Sequence, residues 1–452
     1  MSKSVREPGR QTPVIDQADL CVLGGSCTGV FAAVRAARLG AKVVIVERQN
    51  CFGGTATAGL VSIWHSLHDT EMKRQIIAGL TAEMIDRLAR RKAVEPIMDR
   101  YVYRLNTEEL KIDLDELVVE HRITPHLHTL YVGPHVVNGR LDSIFVESKS
   151  GRGAIKAKVF IDATGDGDLL AQLGVPFDCP PVKQPPTSCM KTFGLGGIGD
   201  EEFEQLIHAH RAEFNIPEDW GWRTSLPCHP QFVMNAENHV FNVNCGDAAD
   251  LTRAEIEGRR LNRAILDIVR KYGPPTAEPV LLDLCAAIGV RETRHFRCGY
   301  RLTERDVLDG TRFDDAIANG SRMVDIHLED QPGLLLRFQD GREKFVLRGR
   351  PAEWRRWRVE TATNPTFYQV PCRCLLPTGA KGVKLDNVLA AGRMIDCDTG
   401  AFGAIRVMVN TNQMGEAAGT AAFLALDSGK PVGEIDVAKL RKLLAAGGGT
   451  TI

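Results

Sequence analysis

Residues 18–47 read ADLCVLGGSCTGVFAAVRAARLGAKVVIVE, and the order of patterns in this stretch decides the fold. Ala18–Leu23 is a short, mainly apolar run, which predicts a strand buried on both faces. Gly24-Gly25-Ser26-Cys27-Thr28-Gly29 follows, and an alanine-rich segment from about Val30 to Leu39 predicts a helix ended by Gly40. Val43–Val46 is a second apolar strand that finishes at Glu47. Strand, helix and strand in this order make a parallel βαβ unit. Its glycine loop sits where the pyrophosphate of a dinucleotide needs it. Gly24 permits a tight turn, Gly29 permits close packing of helix on strand, and the helix N-terminus offers free N–H groups and a partial positive charge. Glu47 lies 23 residues beyond Gly24, where a carboxylate can accept hydrogen bonds from both hydroxyls of an adenosine ribose. Ser26 stands where the fingerprint has its middle glycine, a small departure at the point of closest backbone approach.

A second literal match, Gly194 to Gly199, lacks this context. It follows Cys189–Phe193, which is not an apolar strand, and precedes Asp200, Glu201 and Glu202, whose charges would repel a phosphate. It reads as a loop.

Farther along, Asn106 and Glu109 have N-cap and N3 spacing for a helix through about Glu120. Leu130–Val137, the Asn138-Gly139 turn and Leu141–Ser148 predict a hairpin. A third strand, about Ala154–Ile161, runs into Asp162-Ala163-Thr164-Gly165-Asp166, with Asp166 and Asp168 as candidate N-caps of a helix ended by Gly174. From Val175 to about Thr366 the character changes: prolines cluster at positions 180, 181, 185 and 186, and strand and helix patterns mix. The βα pattern returns at Asn387–Ala391, followed by an alanine-rich helix from about Asn412 to Leu426. The expected division is therefore a discontinuous domain, 17–178 with 366–446, around an insertion at 179–365, with flexible termini at 1–16 and 447–452.

The chain has 452 residues, with 56 Lys plus Arg against 57 Asp plus Glu. Balanced charge argues against nucleic-acid binding, which needs a concentrated excess of cations. Twelve cysteines are scattered singly, with no Cys-x-x-Cys pair; Cys372 and Cys374 are too isolated for a zinc site or a dithiol centre. No metal site is expected. Residues 1–17 lack the apolar core of a secretory signal, and no run approaches the roughly 18–20 apolar residues that span a bilayer. Free thiols suit a reducing cytoplasm. A homo-oligomer stays open.

The run Glu47-Arg48-Gln49-Asn50-Cys51-Phe52-Gly53-Gly54 resembles the segment after the second strand in glutathione-reductase-type flavoproteins. Asp162 to Asp166 resembles their second signature, and Asn387-Val388-Leu389-Ala390-Ala391-Gly392-Arg393 the third. Together with Gly400 to Met408, these segments resemble the FAD-dependent oxidoreductase family whose members carry "GGTATAG" and "DATGDGD". The resemblance implies an α/β chain: a Rossmann-like FAD-binding domain, of parallel sheet plus β-meander, with an inserted α+β substrate or cap domain. It implies FAD as cofactor, lined by Gly24, Gly25, Ser26, Cys27, Gly29, Glu47, Arg48, Gly53, Gly54, Thr55, Asp166, Gly392 and Arg393. Gly403, Ile405 and Arg406 would approach the isoalloxazine, Arg406 as a charge beside it.

The expected reaction is oxidation of a small organic substrate by hydride transfer to flavin N5, with later reoxidation by oxygen or another acceptor. Such a step needs a base for the departing proton. His65 is the first candidate, because its segment leaves the flavin loop directly. Tyr368 and Arg373 are the others, at the return from the insertion. Thiols at Cys27, Cys51 and Cys397 allow a flavin adduct, or simple packing beside the cofactor. A disulfide reductase would need paired cysteines and a second dinucleotide fold. A tRNA-modifying flavoenzyme would want a basic face. A non-enzymatic FAD-binding sensor stays open.

Overall fold

The computed structural model describes residues 4–97, 102–227, 229–328, 331–360 and 363–452. Its centre is a seven-stranded sheet. The strands are β1 (Val14–Leu23), β2 (Val43–Val46), β3 (Thr124–His126), β4 (Leu130–Val137), β5 (Arg140–Ser148), β6 (Gly151–Asp162) and β7 (Val388–Ala390). They lie in the order β3-β2-β1-β6-β5-β4, with β7 also on β6. β3, β2, β1, β6 and β7 are mutually parallel, as the continuous apolar runs require, and every residue of β2 is buried.

β6 changes partners along one edge. It pairs antiparallel with β5 from Gly151 to Lys156, then parallel with β7 from Phe160 to Asp162. The meander therefore peels away where the last strand enters, and four strand ends converge at one rim. The β4–β5 hairpin turns at Asn138 and Gly139, both with positive φ (51° and 77°), the geometry of a type I′ turn.

α1 (Cys27–Arg38) and α2 (Thr107–Glu120) cover one face together with α4 (Met408–Ser428), while α3 (Asp168–Gln172) packs Leu169 and Leu170 on the other. α1 and α4 meet at backbone distance. A Cβ on Gly415 would lie 2.1 Å from the Thr28 carbonyl oxygen, and one on Gly419 2.1 Å from that of Ala32. Small side chains are the condition for this contact, which explains the alanine-rich sequence of both helices.

The segment between β6 and β7 builds two further four-stranded antiparallel sheets. One runs Trp222–Leu226, His229–His239, Thr187–Phe193, Val280–Leu284, backed by the helix Ala248–Tyr272. The other runs Val324–His327, Leu334–Arg337, Arg342–Val346, Glu353–Arg356.

Several expectations need correction. α1 begins at Cys27, three residues early, because the Ser26 hydroxyl caps it by accepting from Gly29 N–H at 3.4 Å. α4 is longer than expected at both ends. The 1–16 arm is not free throughout: residues 1–3 lie outside the described residues, but β1 starts at Val14, and the Pro13 carbonyl accepts from Ala154 N–H at 2.8 Å. Nor is 447–452 frayed. Carbonyls of Gly448, Thr450 and Ile452 accept from Gly79 N–H, Asn319 Nδ2 and Gln369 Nε2 at 2.9, 2.9 and 3.0 Å. Neither Asp166 nor Asp168 caps α3. Asp162 Oδ2 accepts from Leu169 and Leu170 N–H, and Thr164 Oγ1 from Gly167 and Asp168 N–H.

Candidate functional site

A cavity of about 1190 Å³ opens at the C-terminal ends of β1, β2, β6 and β7, where parallel sheets bind ligands. Gly24 turns the chain out of β1 with φ +94°, and a Cβ there would lie 2.4 Å from the Ala163 carbonyl oxygen. Gly29 lets α1 press onto this loop, since its Cβ would lie 1.9 Å from the Gly24 carbonyl oxygen. The Glu47 carboxylate accepts from Gly25 N–H at 2.6 Å and Gln49 N–H at 2.8 Å, so its position on the rim is fixed by backbone. Ser26 and Gly53 are bridged through their backbones, which places the two glycine loops side by side.

Across the rim, Asp166 pairs with Arg393 at 2.6 Å and accepts from Thr293 Oγ1 at 2.8 Å. Burial works to raise the Asp166 carboxyl, but the Arg393 guanidinium holds it below the usual carboxylate range. With capping left to Asp162 and Thr164, Asp166 is released to orient Arg393. The N-terminus of α4 also faces the cavity: Val407, Met408, Thr411 and Asn412 line it, and no acidic residue occupies the first turn. Both amide atoms of fully buried Asn412 lack a partner among the described residues.

Of the expected cofactor residues, Gly24, Ser26, Cys27, Glu47, Arg48, Gly53, Gly54, Thr55, Asp166, Gly392, Arg393 and Arg406 line the cavity. Gly25 and Gly29 stand behind the wall and shape it. Gly403 and Ile405 do not reach it. A Cβ on Gly403 would lie 2.7 Å from the Asp325 carbonyl oxygen, so this glycine serves packing, and Ile405 is wholly buried. Of the catalytic candidates, His65 lines the cavity. Tyr368 does not: it is fully buried, donates to the Ala404 carbonyl at 3.1 Å and accepts from Asn410 Nδ2 at 2.8 Å. Arg373 is exposed and paired with Asp315 at 2.9 Å, outside the cavity. Both are taken up by the fold.

The insertion closes the far wall with a buried polar cluster. His327 Nδ1 bonds Asp219 Oδ2, and Arg291 donates to Nε2 of both His239 (3.0 Å) and His327 (3.3 Å). Arg322 and Arg406 share Asp325. Burial, then Arg291, holds His239 well below 6.5; burial also lowers His327, against the pull of Asp219. Burial and the Arg322 guanidinium likewise hold His65 well below 6.5, so it is neutral at physiological pH. Burial tends to raise the Asp325 carboxyl, yet Arg406 and Arg322 hold it well below the carboxylate range.

Asp219, His239 and Arg322 carry no motif or spacing that singles them out; they come from three separate segments. Arg291, within the insertion, has no role legible in the sequence. His295, four residues beyond Arg291, lies in a closed triad: its ring bonds Glu292 at 2.8 Å and Cys397 Sγ at 3.4 Å, all three buried and none on the cavity wall. The thiols are not activated. Burial raises Cys27 to about 12, raises Cys51, and raises Cys397 well above 9. None of the eleven described cysteines forms a disulfide.

The sequence matches the model of a known family, FAD dependent oxidoreductase, over residues 19–444. The chain belongs to that family. It is an enzyme of the FAD-dependent oxidoreductase type, and FAD is its cofactor. Among curated proteins it is 41% identical over 69 residues to dihydrolipoyl dehydrogenase of Manduca sexta, covering 15% of this chain and 14% of that one. It is 34% identical over 77 residues to the mitochondrial dihydrolipoyl dehydrogenase of Schizosaccharomyces pombe, 15% of each. The chain thus spans a small part of the relatives it matches. Among solved structures, a geranylgeranyl bacteriochlorophyll reductase-like protein of Thermoplasma acidophilum is 12% identical with TM-score 0.44, over 95% of this chain and 84% of that one. A p-nitrophenol 4-monooxygenase of Pseudomonas putida is 13% identical with TM-score 0.37, over 64% and 70%.

The residues present fit FAD. The glycine cradle has no room for a Cβ, the unpaired Asn412 amide awaits a partner, and the cavity exceeds the roughly 300–1,000 Å³ of a single small-molecule pocket. No described helix is long and apolar enough to cross a membrane.

Proposed function

We propose that this enzyme oxidises a small organic substrate by hydride transfer to N5 of FAD, with later reoxidation by oxygen or another acceptor. One observation carries the reading: a single cavity runs from the Gly24 loop to the buried cluster of the insertion, leaving room for a substrate beside the cofactor. Bound FAD supplies a two-electron acceptor. The chain's own residues do the rest. Gly24, Ser26 and the N-terminus of α1 receive the pyrophosphate, Glu47 the ribose, and Arg393, oriented by Asp166, the far side of the cofactor. Arg406 and the N-terminus of α4 place positive charge beside the flavin ring.

The proton acceptor in this reading is His65. It is neutral, faces the cavity and has no hydrogen-bond partner among the described residues, so a lone pair is available for a substrate O–H or N–H. The insertion shuts out water with Trp220, Trp222, Leu334 and Leu336. Scattered cysteines, none of the described ones in a disulfide, support a reducing cytoplasm as the compartment.

The test is anaerobic. Flavin-loaded protein is mixed with alcohols, amines and hydroxy acids, and separately with NADH, while the flavin band near about 450 nm is followed. Bleaching by an organic donor is expected. Bleaching by NADH alone would overturn the reading. In the His65→Gln variant, bleaching should slow by about 10²–10⁴-fold while FAD content holds.

A further inference from the structure

Arg291 is a cation on the cavity wall with no ion-pair partner among the described residues. Its Nη1 donates to the Pro185 carbonyl at 2.8 Å and to His327 Nε2 at 3.3 Å, and its Nη2 to His239 Nε2 at 3.0 Å. These bonds use three of the five N–H donors of a guanidinium. The two left over are Nε–H and the second Nη2–H. Nε and Nη2 make up one edge of the guanidinium, and such an edge can donate to a carboxylate in parallel.

The surroundings hold this fork in place and leave it charged. A guanidinium cannot accept a hydrogen bond, so Nε2 of both rings carries the lone pair and Nδ1 the proton. His327 Nδ1–H donates to Asp219, while His239 Nδ1 is buried, unpartnered and 4.0 Å from Asp219 Oδ1. Nearby, Arg322 and Arg406 share one carboxylate, Asp325, and the Nε atoms of both are buried and unpaired. Arg348, also on the wall, is matched by Glu204. Among the described residues of this cluster, Arg291, Arg322 and Arg406 face Asp219 and Asp325, with one positive charge in excess. A monoanion would balance it.

The three residues Asp219, His239 and His327 also have the composition of a cation site. The tautomer argues against that use. A metal on the Nδ1 atoms would require Nε2–H on both rings, pointing donor against donor at Arg291.

We propose that Arg291 anchors the carboxylate of the substrate, so that the enzyme acts on small organic acids. The assignment rests on the substrate-oxidation reading above and narrows it to a substrate class. It also accounts for His65, whose conjugate acid Arg322 disfavours: a carboxylate bound among these guanidiniums offsets their charge and makes the imidazole a better proton acceptor.

The probe is benzoate, with benzamide as its neutral counterpart, titrated into FAD-loaded protein and followed by the flavin band and by calorimetry. Benzoate should give a saturable change and benzamide none at the same concentrations. Arg291→Met should weaken benzoate by at least about thirtyfold with FAD content and melting temperature retained. Arg291→Lys keeps the charge without the fork, and should weaken it roughly tenfold even if the Met variant does not fold. Equal binding of benzamide, unchanged affinity in both variants, equally tight binding of inorganic phosphate, or stoichiometric binding of zinc alone would each overturn the assignment. The two readings fail separately. Bleaching by neutral alcohols in a protein that ignores benzoate removes the anchor and leaves the oxidation; benzoate binding with no flavin retained does the reverse.

Discussion

Gly24 is the residue on which the cofactor site turns. Its φ of +94° disfavours any side chain, and a Cβ would press against the Ala163 carbonyl just beyond the end of β6. Gly24→Ala is expected to cost about 1–3 kcal/mol and to release FAD, measured as flavin content after gel filtration together with the melting temperature. This residue was legible because the turn, the helix and the acid that follow it are local in sequence. The substrate wall was not. Asp219, His239, Arg291 and Arg322 meet only through tertiary folding, and each alone has the look of an ordinary polar residue. Tyr368 and Arg373 fail for the converse reason: their place in the chain, at the return from the insertion, said nothing of where their side chains go. One reaches the Ala404 carbonyl, the other Asp315.

Among the elements, β6 and the loop beyond it organise the rim. Asp162 caps α3 by accepting from Leu169 and Leu170 N–H at 3.0 and 3.1 Å, and it also accepts from Thr164 at both its backbone and its hydroxyl. Asp162→Ala strands these buried donors. It should lower stability by about 2 kcal/mol in denaturant unfolding and loosen Asp166 and Arg393 with it. The strands and the hairpin were readable from apolar runs and from Asn138-Gly139, since both signals are short-range. The cap was misassigned because Asp166 has the right spacing, whereas the chain uses an acid four residues earlier that folds back from the strand end.

At the scale of the whole molecule, N-terminal, middle and C-terminal segments are locked together. The carbonyls of Gly448, Thr450 and Ile452 accept from three separate parts of the chain, so the polar, glycine-rich tail that reads as loose is held by backbone acceptors, which sequence does not advertise. Glu416 of α4 lies in the same packed region. Its Oε1 accepts from Leu80 N–H at 3.0 Å, its Oε2 has no partner among the described residues, and burial pushes it up to about 7. The folded chain therefore holds a proton that the unfolded chain, with an ordinary value near 4.5, releases. Stability present below about 4.5 is lost as pH rises through about 7. Glu416→Gln should leave the melting temperature near wild type at pH 5 and raise it at pH 8, by the equivalent of roughly 2–3 kcal/mol.

The central claim is that FAD lies along the rim with its flavin ring against the cluster of the insertion. Electron density from crystals of the FAD-loaded protein tests it most directly. The account predicts pyrophosphate at the Gly24 loop, adenosine ribose at Glu47, and the isoalloxazine between Gly53-Gly54 and the wall that carries Arg291 and Arg406. An isoalloxazine lying away from that wall, or a cofactor outside the cavity, would contradict it.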